Sequence, residues 1–216
     1  MSYTLMVILS YSILPAVIAG IIKFKTIEAK YHPIIICFLL ALINELVSTI
    51  LVLNGFSNAL NNNVYYLAEA ALIVWQFFRW NIFTEHRGLY RVLVILILAG
   101  WLVENHSFTE INRYQPFFRG ASAILAVIMS ILFINRLIVY YNGMLLKCPE
   151  FLICIGFCLY FNSVLIVETF LYFGVSKSVY FEDALFKAGS IVNVVSNLLY
   201  LSAILWMPKK PAYIRL

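Results

Sequence analysis

Long apolar stretches separated by short polar segments are the main feature of the chain. A helix needs about 20 apolar residues to cross about 30 Å of hydrocarbon, and seven stretches approach that length. They lie at residues 3–22, 33–54, 63–83, 90–103, 116–140, 151–173 and 184–207, and the fourth is the shortest. Since no strand-like alternation is present, and since lipid offers backbone groups no partners, each is expected to be helical. The pattern predicts an all-α, polytopic transmembrane bundle of seven helices that forms one domain, residues 1–216.

Prolines and a tryptophan mark the edges of several stretches. Pro33, Pro116 and Pro149 each stand in the first turn of a stretch, where the missing N–H costs nothing. Pro15 lies inside the first stretch and is expected to kink that helix. Trp80 ends the third stretch beside a basic residue and is expected to lie at the membrane interface.

Composition favours a membrane protein over a soluble one. Hydrophobic residues make up 63% of the chain, charged residues only 12%, and mean hydropathy is +0.93, whereas a soluble domain carries roughly 25% charged residues. The net charge of +5 does not indicate nucleic acid, because the 15 Lys and Arg residues are scattered singly between apolar runs. The four cysteines lie within or beside those runs. Even Cys154 and Cys158, spaced to share a helix face, are interpreted as small hydrophobic residues rather than metal ligands.

The distribution of basic residues predicts the orientation in the membrane. Taken alternately, one set of connecting segments holds eleven Lys and Arg residues and the other set holds four. Cytoplasmic loops carry the excess of Lys and Arg, so the N-terminus is expected outside and the C-terminus in the cytoplasm. The first stretch has no basic segment before it and is expected to be a retained helix, not a removable signal peptide.

An internal repeat is one interpretation of this layout. Stretches one to three and five to seven would share an orientation around the fourth, a 3+1+3 arrangement known among transporters. Pro33 and Pro149 open equivalent stretches, which carry the mid-helix residues Asn44 and Asn162. Similar chemistry at span edges explains the same positions without duplication, and this second interpretation is favoured.

Five ionisable residues lie within the predicted spans and are candidates for function. They are Glu45, Glu69, Arg119, Glu168 and Lys187, and each costs about 2.5–3.5 kcal/mol to insert. All five fall at mid-depth or in the predicted outer half, so they can converge on one cavity open to the outside. Further polar lining is expected from Asn162, Asn193, Asn197, Ser196, Gln76, Tyr65 and Tyr66. The alternative is that the charged residues form interhelical ion pairs that fix the bundle, and Glu69 is expected to pair with Arg119 or Lys187.

Enzymatic activity is not expected. His32, His86 and His106 fall in connecting segments on opposite sides, so they cannot assemble an intramembrane zinc site. The chain has no nucleotide-binding loop, nucleophile elbow or haem-attachment motif. Residues 183–189 resemble the retinal-lysine segment of microbial rhodopsins, but Lys187 is at the edge of its span rather than at mid-membrane. No cofactor is therefore expected.

Three segments resemble small uncharacterised seven-helix membrane proteins of Bacteroidota. They are residues 63–69 (NVYYLAE), residues 149–162 from Pro-Glu-Phe to Tyr-Phe-Asn, and residues 191–197 followed by Trp206 and a lysine pair. The bias towards Ile, Asn, Tyr, Phe and Lys is similar as well. The resemblance implies a multi-pass seven-helix fold in a bacterial cytoplasmic (inner) membrane, and it implies no activity.

The function expected from these features is a non-enzymatic, small-ligand-binding or sensory membrane module with a periplasm-facing polar cavity. The predicted cytoplasmic loops are too short for a catalytic output domain, so signalling would need a membrane or cytoplasmic protein partner. The sequence does not identify the small-molecule ligand. The alternatives are a transporter of a small polar or charged solute, with Glu45 as coupling carboxylate, and an accessory subunit of a larger membrane protein complex.

Overall fold

The computed structural model of the chain describes residues 3–83, 87–108, 111, 113–173 and 179–210, and most of these residues are helical. The α-helices are α1 (Tyr3–Ser10), α2 (Leu14–Lys23), α3 (His32–Leu53), α4 (Ala59–Arg79), α5 (Arg87–Val103), α6 (Pro116–Tyr140), α7 (Pro149–Phe173) and α8 (Val179–Trp206). A 3-10 turn at Tyr11–Ile13 joins α1 to α2, which together make one interrupted helix. The predicted all-α class is confirmed for the described ranges.

Five of the described helical segments are long and apolar enough to cross a membrane. They are Ala29–Leu53, Gly88–Ser107, Pro116–Tyr140, Pro149–Phe170 and Asp183–Trp206. The apolar segment Val7–Lys23 is shorter, and α4, although 21 residues long, carries several asparagines, Glu69 and Gln76. The five segments indicate a multi-pass membrane protein, and crossing by the other two helices stays a prediction.

Prolines shape the helices as the sequence predicts. Pro33 stands in the first turn of α3, and α6 and α7 begin at Pro116 and Pro149. Pro15 lies in the first turn of α2, directly after the 3-10 turn. Because Pro15 has no N–H, the helix cannot form the hydrogen bond to the carbonyl one turn earlier, and the α-helix is interrupted there.

The helices form a closed ring. Each packs against its neighbours along the chain, while α1 and α2 also pack against α8, and α4 reaches across to α6. The helix α5 is peripheral, since 11% of the residues in its apolar window are buried against 28–39% in the other four long segments. The remaining helices therefore enclose the interior.

The ring has two chemically different ends. At the first, here called the basic end, the bridge between Ile27 and Lys209 joins the α2–α3 connection to the segment after α8. The Arg136 guanidinium at this end donates to the Asn81 carbonyl at 2.8 Å. At the opposite end, Asn63 donates to the carbonyls of Ile111 and Arg113. Lys177 and Arg215 are two of the basic residues from which the orientation is predicted, and they lie outside the described residues.

The expectation for Trp80 is wrong, because this side chain is in the core and only 6% exposed. Asn81 takes a left-handed conformation with φ of 59° just after α4, where the chain turns. The Trp80 ring stacks on Phe133 at 5.1 Å between centroids and meets Phe77 edge-on at 5.4 Å. Aromatic packing at the basic end thus places the indole inside the bundle rather than at its surface.

Candidate functional site

A buried ion pair lies between α4 and α6. The Arg119 guanidinium pairs with the Glu69 carboxylate, and the two residues are 3% and 5% exposed. Tyr65, one turn before Glu69, donates its hydroxyl to the same carboxylate at 2.7 Å. Taking either charge alone into an apolar interior would be costly, so the two ions neutralise each other. Of the two partners predicted for Glu69, Arg119 and Lys187, the first forms the pair.

Aromatic rings surround the arginine of this pair. The Arg119 guanidinium lies 4.1 Å from the ring centre of Tyr66 and 5.8 Å from that of Phe161. It also donates to the Tyr160 hydroxyl at 3.1 Å. Cation–π contacts of this kind strengthen when water is excluded. Arg119 is therefore held by α4 on one side and by α7 on the other.

A cavity of about 70 Å³ lies beside the ion pair, walled by the α1 end, α3, α4, α7 and α8. The polar residues that line it are Ser10, Asn44, Glu45, Tyr65, Glu69, Tyr160, Asn193, Asn197 and Tyr200. Because one water needs roughly 10–15 Å³ of such space, the cavity has room for several waters or a small ligand. It is partly enclosed, and its mainly apolar surface carries several polar groups, which is the character of a binding site.

Three aromatic side chains close the cavity towards the basic end. Phe38 stacks on Tyr200 with centroids 4.6 Å apart, and Phe157 meets Tyr200 edge-on at 5.8 Å. These rings, here called the aromatic floor, are all 5% exposed or less. They stand about two helical turns from the basic end, whereas Glu45 and Asn193 lie about two turns further away. The polar part of the cavity is thus displaced towards the opposite end.

Glu45 is the lining carboxylate without a cation. It is half-buried, interacts with Ser10, and forms no ion pair within the part of the chain that the structure describes. The described lining contains no Lys, Arg or His. Glu69 has its charge compensated by Arg119, so a negative charge on Glu45 remains for a ligand or proton to satisfy.

An asparagine network stands between Glu45 and the opposite end. The Asn44 amide donates to Asn62 at 3.2 Å and its oxygen accepts from Asn61 at 2.7 Å. The Ser48 hydroxyl donates to Asn62 at 3.1 Å. These bonds join α3 to α4 and use both polar atoms of the Asn44 side chain, which lines the cavity chiefly as a structural residue.

Four of the eight predicted site residues do not line the cavity, and one of them is Arg119, which pairs with Glu69 beside it. Lys187 pairs with Asp183, one turn earlier on α8, and both side chains are more than a third exposed. Asn162 donates to the Cys158 carbonyl on its own helix at 2.7 Å and is exposed. Glu168 interacts with the Tyr114 hydroxyl and with Arg119. The predicted convergence of five charges is therefore wrong for Lys187, and Asn162 and Glu168 are not cavity residues.

The other four predicted residues do line the cavity. Glu45, Glu69, Asn193 and Asn197 line it, and Arg119 compensates Glu69. Asn197 donates to Ser12 at 2.8 Å, which ties α8 to the 3-10 turn.

Gln76 has a structural role instead of the predicted lining role. It accepts from the Ile34 N–H at 2.8 Å and donates to the Lys30 carbonyl at 2.7 Å. It thereby satisfies an N–H in the first turn of α3, which the helix itself leaves without a partner.

Sequence reasoning missed Ser10, Tyr160 and Tyr200 as parts of the site. Tyr160 and Tyr200 are hydroxyl-bearing aromatics within apolar runs, and a buried tyrosine hydroxyl usually finds a polar partner. That rule was a usable signal for Tyr160, which accepts from Arg119. Ser10 carries no such signal, because serine is common in membrane helices as a packing residue.

Comparison of the chain with protein-family models, curated proteins and solved structures finds no match. Fold and composition define only its general class, a helical bundle with five described segments that are long and apolar enough to span a membrane.

Proposed function

We propose that this protein is a non-enzymatic, small-ligand-binding or sensory module of a bacterial cytoplasmic membrane, with the polar cavity facing the periplasm. The single observation that carries the proposal is the cavity beside the Glu69–Arg119 pair, which contains the uncompensated carboxylate Glu45. A charged side chain is expensive inside a membrane bundle. The presence of the Glu45 carboxylate beside an open space is more simply explained by ligand binding than by helix packing.

The aromatic floor favours binding over transport. A transporter must expose its site to both sides in turn, and the polar residues of this cavity lie on one side of Phe38, Phe157 and Tyr200. The transporter alternative would require these buried rings to separate. Binding and signalling need no such movement, although signalling would need a protein partner at the cytoplasmic side.

Cysteine labelling tests whether the cavity is open to the outside. In a background without native cysteines, Glu45→Cys is treated in intact cells with silver ion, a thiol-reactive cation small enough for the cavity, and the thiols that remain free are then labelled with a maleimide after denaturation. Ile43→Cys, on the same helix and exposed on the outer face of the bundle, is the matched control for a lipid-facing position. Phe56→Cys, in the connection after α3 and 66% exposed, is the positive control. We expect silver to block maleimide labelling at positions 45 and 56 but not at 43.

Maleimide labelling at position 45 after silver treatment, with blocking at 56, would contradict the proposal and favour an accessory subunit whose polar residues fix the bundle. The native thiols are removed because Cys37 itself lines the cavity. Burial raises the pKa of the Cys148 thiol to about 11 and protects it only in the folded chain, so Cys148 is replaced as well because the maleimide acts after denaturation.

A further inference from the structure

We infer that the cavity beside Glu45 is a site for a small monovalent organic cation of the ammonium type, such as a protonated primary amine. The inference rests on the proposed ligand-binding function and names the chemical class of the ligand. It is carried by three independent properties of the described lining: its charge, its aromatic surface and its volume.

The charge of the lining selects a cation. Two carboxylates, Glu45 and Glu69, face the cavity, and Arg119 compensates one of them. The described lining supplies no second positive group. An anion placed beside Glu45 would be repelled in a medium that screens charge poorly, whereas a monovalent cation would leave the whole site neutral.

The neighbouring groups suit an ammonium N–H donor. Asn193 and Asn197 present amide oxygens, Ser10 presents a hydroxyl, and all three line the cavity with Glu45. An ammonium group has several N–H donors and no acceptor, so a carboxylate with hydroxyl and amide oxygens is its complement. The Asn193 oxygen shares a long bond of 3.4 Å with Asn197 and remains able to accept a further donor.

The aromatic surface favours an organic cation over an alkali metal ion. Six aromatic residues line the cavity: Phe38, Tyr65, Phe157, Tyr160, Phe161 and Tyr200. Aromatic faces attract ammonium groups through the ring quadrupole and also pack against their carbon substituents. A metal ion gains from oxygen ligands and has no carbon substituent to place against these rings.

The volume limits the size of the ligand. A dry cavity of about 150 Å³ holds benzene, with six heavy atoms, so the cavity of about 70 Å³ suits roughly three heavy atoms. Methylammonium and ethylammonium meet this limit, and tetramethylammonium, with five heavy atoms, exceeds it.

Thermal unfolding of the purified full-length chain in detergent tests the inference. Methylammonium chloride is titrated at constant ionic strength, with sodium chloride, methanol and tetramethylammonium chloride as the metal, uncharged and oversized comparisons. We expect a saturable rise in Tm with methylammonium alone, of about 5 °C at a hundredfold excess over Kd. Glu45→Gln should abolish the rise. Glu28→Gln, which changes a partly exposed carboxylate at the basic end, outside the cavity, should keep it.

Each outcome bears on the inference. Absence of a saturable rise in the wild-type chain, or an equal rise in Glu45→Gln, would overturn it, as would stabilisation by sodium or methanol of the same size. If Glu45→Gln does not fold, Asn193→Leu takes its place and should also abolish the rise. Blocking by silver at position 45 without any methylammonium effect would refute the cation class and leave the ligand-binding proposal standing. Absence of blocking by silver at position 45 would instead refute the ligand-binding proposal itself.

Discussion

Arg119 lies within the first turn of α6, yet its guanidinium is only 3% exposed. The long side chain reaches the interior, where Glu69 takes its charge and the Tyr66 ring covers one face. A short cation at this position would have to remain near the helix end. Because the arginine side chain is long and its guanidinium group is planar, Arg119 contacts both α4 and α7.

Removing one partner of this pair should be much worse than removing both. Glu69→Gln leaves the buried Arg119 charge without compensation, so we expect a loss of about 3–5 kcal/mol in the free energy of unfolding. The double variant Glu69→Leu with Arg119→Met leaves no charge behind and should regain most of that loss. Unfolding by sodium dodecyl sulfate in mixed micelles measures both variants. Glu28→Gln, which changes a partly exposed carboxylate at the basic end, serves as control, and a Glu69→Gln protein as stable as wild type would refute this account.

The sequence indicates how far along a helix a side chain lies but not which way it faces, for a physical reason. Residue counting gives a side chain's height along a span, and this was enough to name Arg119 and Lys187 as the two candidate partners of Glu69, of which Arg119 forms the pair. Residue counting does not say which way the side chain faces, because both the lipid-facing and the inward faces of a membrane helix are apolar. Asn162 accordingly faces outward although its depth suited the cavity. Lys187 has a local partner, Asp183, one turn away on its own helix, and needs no interhelical one.

At the scale of helices, α7 and α8 pack closely where a glycine allows it. A β-carbon at Gly156 would overlap the ring of Tyr200, so the absence of a side chain lets that ring lie against the α7 backbone. Small residues at helix interfaces of membrane proteins serve this purpose. The same ring forms part of the aromatic floor, and helix packing therefore sets the depth of the cavity.

Gly156→Ala should force Tyr200 out of its place. Overpacking of this kind costs about 1–3 kcal/mol, and we expect a Tm lower by several degrees. Gly120→Ala on α6 is the matched control, since no atom outside its own helix lies within 4 Å of the added carbon. That control should be neutral or slightly stabilising, because alanine is the better helix former. Equal Tm values for the two variants would show that the Gly156–Tyr200 contact is unimportant.

Element boundaries were predictable wherever a local rule fixed them. Proline in the first turn predicted the starts of α3, α6 and α7 within a residue or two. The fourth span was underestimated, since α5 begins at Arg87 and a π-helical turn extends it to Phe108. The charged Arg87, followed by a glycine, kept the first three helical residues out of the predicted apolar stretch. The 3+1+3 repeat stays a prediction.

At the scale of the whole molecule, the two ends of the ring differ in charge. Lys30 pairs with Glu150 at 3.1 Å at the basic end, and Tyr31 donates to the same carboxylate at 2.5 Å. The opposite end is joined instead by neutral asparagine contacts such as Asn44 with Asn62. Under the positive-inside rule, this asymmetry predicts that the basic end lies in the cytoplasm.

Reporter fusions should distinguish this orientation from its reverse. Alkaline phosphatase is active outside and green fluorescent protein inside the cytoplasmic membrane. We expect phosphatase activity for a fusion in the segment at residues 55–58 and fluorescence for a fusion after Leu216. The reciprocal fusions, fluorescent protein in the former position and phosphatase in the latter, are the controls and should be silent. Both sites reporting the same compartment would exclude an odd number of spans between them.

The ring is closed by the contact of its first and last helices. Lys23 at the end of α2 donates to the terminal carbonyls of Ile204 and Leu205 on α8. Because α8 leaves the ribosome after the other seven described helices, the wall of the cavity that carries Asn193 and Asn197 is made after the other walls. Until then Glu45 has one side without a helical neighbour. The packing of α8 against α2 thus completes the cavity and closes the ring at the same time. A nascent chain that lacks α8 has neither a complete cavity nor a closed ring.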